Sequence, residues 1–162
     1  MRKYVLLASL ALLLTGCGAE TFETVSDDLI QPVMGSVREM EVKLPDHAAS
    51  PVVNSIDGGK LYFCDGYTLT VQTMSGGDLN KTVQNICGFD RETLTVIRTK
   101  DQENTCYEWV WTSAGEDGDQ LGRAMVLEAG NYHYCLTAMA HAEDAASLQP
   151  EWDQLFSSFK LA

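Results

Sequence analysis

The residues of this 162-residue chain whose types could do chemistry are three histidines, His47, His133 and His141, and the acids Glu116, Asp117 and Asp119. His133 alone falls in a strand-like stretch, where it would share a face with Cys135 and Thr137, opposite Tyr132 and Tyr134. An imidazole acts as a general base when an acid orients it and a nucleophile lies within hydrogen-bond reach. A hydrolase would therefore need His133 to meet Glu116 or Asp119 in one cleft. The H-E-x-x-H, G-x-S-x-G and S-x-x-K spacings are all missing, so one histidine without a visible nucleophile reads as a hydrogen-bonded structural residue. Three carboxylates within four residues offer oxygen ligands to a hard cation. A calcium loop needs more donors and a late bidentate glutamate, so the run reads as a solvated acidic turn with Arg123 near enough to pair one acid, and no metal is assigned. His133, Glu116, Asp117 and Asp119 are the candidate site, with no catalytic residue identified. Gly76-Gly77 lies ahead of a helical pattern, but it lacks the Walker lysine and the G-x-G-x-x-G spacing. Asp78 would also put negative charge where a phosphate would sit, so the segment reads as a turn and a capped helix and no cofactor is expected.

The start of the chain bears on where any such chemistry would occur. Arg2 and Lys3 precede an apolar run over residues 4–14, the layout of a secretory signal peptide and too short to span a bilayer comfortably. Leu14-Thr15-Gly16-Cys17 resembles the bacterial lipobox, which implies cleavage before Cys17, acyl chains on that cysteine and a protein tethered to the outer side of a bacterial membrane. The organisation expected is a lipoprotein signal peptide over residues 1–16, a lipidated cysteine and tether over 17–28, and one domain over 29–162. A tether of about ten residues reaches roughly 35 Å. The formal net charge is −12, and removing Arg2 and Lys3 makes the chain more acidic. That balance excludes an electrostatic footprint for nucleic acid.

Cys64, Cys87, Cys106 and Cys135 remain, an even number outside the cytoplasm, which makes disulfides plausible. No C-x-x-C pair marks a zinc or redox site.

The elements that must position these groups follow from periodicity. Residues 60–64 and 67–73 read as strands joined by Asp65-Gly66, a dipeptide suited to a type I′ turn. Leu79, Val83, Ile86 and Cys87 share one helical face, with Asp78 as N-cap and Gly88 as the terminating residue. Residues 94–99 form a further strand. Residues 105–139 then alternate as a three-strand meander, with Tyr107, Trp109 and Trp111 on one face and Glu108, Val110 and Thr112 on the other. Pro150 suits a first helical turn, and Trp152, Leu155, Phe156 and Phe159 form the apolar stripe of a closing helix expected to cover the β-strand aromatics. A helix running back from the end of the 67–73 strand would return Cys87 to Cys64, so this is the expected disulfide. Cys106 and Cys135 would be separated by a third strand, about 9.6 Å apart against the roughly 7 Å that a disulfide spans.

From residue 67 onward the chain resembles small uncharacterised lipoproteins of Firmicutes, in the segments TVQTMSGGDLNKTVQNICGF, LTVI, WTSAGEDGDQLGRAM, GNYHY and WDQLFSSFKL. Their order of hairpin, helix, strands and final helix looks like the PsbP-like sandwich. The fold expected is therefore α+β, an antiparallel-rich sheet of about six to seven strands with a helix after the second hairpin strand and an amphipathic C-terminal helix packed on the sheet. The resemblance implies a non-catalytic binding or accessory module at the outer face of the membrane. It would be held there by its lipid anchor and take a protein, peptide or cell-wall ligand. A lipid-anchored hydrolase using His133 with an acid of residues 116–119, or a structural subunit of an envelope complex, are the alternatives.

Overall fold

The structure, a computed structural model, describes residues 36–162 apart from 57, 101 and 102. The expectations for the signal peptide, Cys17 and the tether lie outside the described residues. Seven strands form one antiparallel sheet: β2 (Val52–Val53), β3 (Lys60–Cys64), β4 (Tyr67–Ser75), β5 (Ile97–Lys100), β6 (Thr105–Gly115), β7 (Gly118–Ala129) and β8 (Tyr132–His141). Their order is β2-β3-β4-β8-β7-β6-β5. Strand β1 (Met40–Glu41) pairs separately with β9 (Lys160–Leu161). Helix α1 (Leu79–Cys87) follows the hairpin, a 3₁₀ turn covers Arg91–Thr93, and α2 (Ala145–Ser158) closes the chain before β9. This is the α+β arrangement expected from the sequence, including the β6-β7-β8 meander. No helix among the described residues is long and apolar enough to cross a membrane.

Period-two alternation gives the sheet two apolar faces, each covered by one helix. On the first, Leu69 and Val71 of β4 and Tyr134, Leu136 and Ala138 of β8 pack with Trp152, Leu155 and Phe156 of α2 and with Phe159. Met40, Val42 and Leu44 approach the same face, although only Met40–Glu41 forms a strand. On the second face Tyr107, Trp109 and Trp111 of β6 pack with Ala124, Val126, Cys135 and the fully buried Val83 of α1. Burying one such large side chain stabilises the fold by roughly 1.5–3 kcal/mol. The helices thus cover diagonally opposite parts of the sheet. Val110 and Ile97 are left exposed on the α2 side of β5–β6, and Phe63 is exposed on the α1 side of β3.

Four local expectations need correction. The β6 aromatics lie beneath α1, not beneath the closing helix, because Tyr107, Trp109 and Trp111 share the parity of Ala124 and Val126 and face away from α2. No disulfide joins Cys64 to Cys87. Cys64 packs on the α2 side and Cys87 on the α1 side, so the sheet stands between them. Cys106 and Cys135 are separated by β7, as foreseen, and also point to opposite faces. The Asp65-Gly66 hairpin is present, but only Gly66 has positive φ, at 81°, so the turn is not type I′. Finally, α2 starts five residues before Pro150, which sits inside the helix.

Helix α1 forms as its caps dictate. An Asp78 carboxylate oxygen accepts from the Lys81 N–H at 3.1 Å, and Gly88 ends the helix in the left-handed region. The preceding glycines are structural. A Cβ at Gly76 would lie 2.9 Å from the Asn131 backbone, and Gly77 has φ 92°. Close approach and positive φ account for the pair.

Candidate functional site

His133 lies under α1, sealed from solvent. Its Nδ1 is 2.7 Å from the Thr82 hydroxyl and its Nε2 is 3.7 Å from a Glu128 carboxylate oxygen. The single Thr82 proton also has the Asp78 carbonyl within reach at 3.4 Å. Thr82 thus bridges the ring to the Asp78 carbonyl, while Nε2 faces Glu128. At 3.7 Å that contact is electrostatic and not a hydrogen bond. Burial lowers the histidine pKa, against the opposing pull of Glu128 and Asp78, so the ring is held neutral. Glu128 also accepts from the Tyr107 hydroxyl at 2.9 Å. The cluster Thr82–His133–Glu128–Tyr107 fixes α1 to the sheet and holds no nucleophile that a substrate could reach.

The acidic residues lie at the other end of the sheet. Strands β6 and β7 extend further than the sequence pattern suggests, leaving Glu116 and Asp117 as the turn. Asp119 is on β7 opposite Ala114. Glu128 is the residue paired with His133, and it is nine positions from Asp119 along β7, about 30 Å of extended strand. The hydrolase pairing of His133 with Glu116 or Asp119 is therefore not made. The acids do not converge on a cation either: among the described residues no group of three or more His, Cys, Asp or Glu side chains could hold a metal.

A different set of polar groups converges beside the Asp65-Gly66 turn. The Tyr67 hydroxyl donates to Glu151 at 2.5 Å, and His47 Nε2 lies 3.2 Å from the other oxygen of that carboxylate. His47 Nδ1 accepts the Asp65 N–H at 3.2 Å, so its proton is on Nε2, towards Glu151. The hydrogen bond to Glu151 raises the His47 pKa, outweighing burial. For Glu151 itself burial acts upward, yet the bonds from Tyr67 and His47 carry its pKa below the ordinary 4.5. Burial, followed by the bonds to Glu151 and Cys64, holds the Tyr67 phenol well above its usual range, so it remains a donor. Burial likewise raises the Cys64 pKa, leaving a thiol and not an activated thiolate.

On the far side of the turn an open cavity of about 430 Å³ is lined by Phe63, Cys64, Tyr67, Gln120, Met139 and His141, among others. Gln120 Nε2 and His141 Nδ1 are 2.9 Å apart. Phe63 is about half exposed at its edge. A wall that mixes aromatic and apolar side chains with placed polar groups, and whose thiol is not activated, suits recognition more than proton transfer. Sequence reasoning missed this constellation, since His47 sat in an unpatterned loop and Glu151 on the polar side of a helix. The available signal was Cys64 and Tyr67 flanking a two-residue turn, which makes them cross-strand neighbours.

No family model matches the sequence, and no curated protein matches it. Among solved structures, cyanobacterial PsbP (CyanoP) from Synechocystis sp. PCC 6803 superposes with a TM-score of 0.55 at 10% identity, over 79% of this chain and 95% of that one. The fold is PsbP-like. LpqN of Mycobacterium tuberculosis, described as involved in cell envelope biogenesis, matches with a TM-score of 0.51 at 9% identity, over 79% of this chain and 87% of that one. A protein of Bacteroides thetaiotaomicron matches at 0.52 and 8% identity, over 76% of this chain and 45% of that one. At such identities the likeness concerns the fold, and the PsbP-like arrangement supplies no site residues for this chain.

Proposed function

We propose that this chain is an extracytoplasmic bacterial lipoprotein, attached through Cys17 to the outer face of the cell membrane, that works as a non-catalytic binding or accessory module. The observation that carries this reading is that the buried histidine cluster meets no reachable nucleophile, while an open cavity lies elsewhere. His133 is sealed beneath α1, while the cavity beside the Asp65-Gly66 turn is open and lined by apolar and polar groups in about equal measure. Support for anchoring comes from the charged start, apolar run and lipobox-like residues before Cys17. The PsbP-like fold, found also in an envelope-biogenesis protein, agrees with that address. The ligand that suits such a cavity is a protein segment, peptide or cell-wall fragment that offers both apolar and hydrogen-bonding groups.

Placing a photoreactive residue at Phe63 in the full chain, in its own cells, tests this reading, with the same residue at exposed Glu92 as the control. An adduct of one recurring mass from position 63 and not from 92 is expected; equal labelling from both positions would count against the cavity. A structural subunit of an envelope complex is a second reading, favoured by Ile97 and Val110, both exposed on the α2 side of β5–β6. Extraction of the protein in mild detergent as a monomer would remove it.

A further inference from the structure

On the α1 side of the sheet, Met139 lies six positions along β8 from His133, about 20 Å of extended strand away. It belongs to a row running across the sheet, in which Phe63 pairs with Thr68 and Thr68 with Met139. His141 and Gln120 pair one step beyond, on the same side. These five residues and Asp144 line the open cavity of about 430 Å³ beside the Asp65-Gly66 turn, where Phe63 is 52% exposed. The Gln120 amide nitrogen can only donate, so His141 Nδ1 accepts at 2.9 Å and the ring carries its proton on Nε2. That leaves a donor at Nε2 and an acceptor at the Gln120 carbonyl oxygen. An N-cap aspartate ordinarily turns its carboxylate to the first-turn N–H groups of its helix. Asp144 makes no such bond to α2, and its carboxylate is a second acceptor at the cavity.

We propose that this cavity takes a neutral sugar ring, stacked on Phe63 and hydrogen-bonded through its hydroxyls to Gln120, His141 and Asp144. The inference rests on the binding role proposed above and narrows its ligand to one class. A pyranose carries C–H groups on its faces and hydroxyls around its rim, so it meets apolar and polar wall in the same site. The C–H face suits the electron-rich face of an aromatic ring. Neighbouring hydroxyls can donate to a carboxylate or amide oxygen and accept from an imidazole N–H. A purely apolar group would instead cover those polar atoms without pairing them, at a cost in free energy. Charge selects against anions. Asp144 lines the cavity, Asp65 and Asp119 adjoin the lining residues Cys64 and Gln120, and among the described residues no lysine or arginine lines it. A phosphate- or carboxylate-bearing polymer would meet like charge there.

Saturation-transfer NMR observed on the ligand tests this with the full chain in a polyoxyethylene detergent, which has no sugar headgroup to compete. The probes are maltotriose and tri-N-acetylchitotriose, with spermidine and a blocked trialanine peptide as the competing classes. At least one saccharide should receive saturation at its ring C–H protons. Phe63→Ala and Gln120→Ala should each weaken that binding about fivefold or more, while Ile97→Ala, equally exposed on a different strand, should leave it unchanged. Phe63 is exposed enough that its loss should not shift the unfolding midpoint, which is measured alongside. Saccharide binding that both cavity substitutions leave intact would overturn the assignment to this cavity. Saturation reaching spermidine or the peptide and neither saccharide would overturn the sugar. So would no binding of any probe by a chain that still gives its photoadduct at position 63, and in that case the binding reading would stand. Equal photolabelling at positions 63 and 92 would remove the binding reading and the sugar together.

Discussion

As pH falls below 6.5 an unfolded chain protonates His133, whereas the folded chain, with the ring sealed under α1 and its pKa lowered by burial, does not. The unfolded state then binds the extra proton, so stability is lost as pH drops from 6.5 towards the folded pKa. His133→Gln should lower stability at neutral pH and flatten that slope, read by denaturant unfolding across a pH series. A slope unchanged by the substitution would mean that His133 does not carry it. His47 acts in the opposite sense, and Glu151 in the same sense at lower pH. The raised His47 pKa contributes stability that is complete below 6.5 and lost as pH rises through the folded value. The depressed Glu151 pKa contributes above 4.5 and is lost as pH falls through its folded value. Their pair is at full strength between those limits, so the penalty of His47→Ala should be greatest there and shrink on either side. Gly122 offers a steric test. The Trp111 ring lies where a Cβ would stand, 2.2 Å away, and Gly122→Ala should cost about 1–3 kcal/mol by overpacking, measured by thermal or denaturant unfolding.

At the scale of elements, each helix is specified locally and placed by the sheet. Asp78→Ala removes the α1 cap and should cost about 1 kcal/mol, whereas Phe156→Ala empties the centre of the α2 core and should cost about 3–5 kcal/mol. Hydrogen exchange separates the two substitutions. The first should speed exchange in α1 with little change in α2, because the helices lie on opposite faces. Much of this was legible in the sequence. The α1 caps, the Trp152-Leu155-Phe156-Phe159 stripe and the parity of Tyr107, Trp109 and Trp111 all hold in the structure. Which helix covers which face was not legible, because alternation tells that a face is apolar and says nothing about its partner. The Cys64–Cys87 expectation failed for the same reason, since it followed strand and helix direction without fixing the side on which α1 packs. The His47–Tyr67–Glu151 constellation joins residues about a hundred positions apart, and no local pattern could announce it.

For the whole molecule, the PsbP-like sheet separates a sealed histidine cluster at one end from an open, acid-flanked cavity at the other. Because no disulfide joins the described cysteines, reductant should leave the unfolding midpoint unchanged; a drop on reduction would show that a bridge forms in the cell-made protein. The central claim, a module held at the outer face of the membrane by lipid on Cys17, is tested most directly by the intact mass of the chain extracted from its own membranes. The expected product begins at Cys17 and carries a diacylglyceryl group, and Cys17→Ser should abolish both the processing and the membrane attachment. A membrane-extracted chain that keeps residues 1–16, or one that starts elsewhere without lipid, would contradict the account.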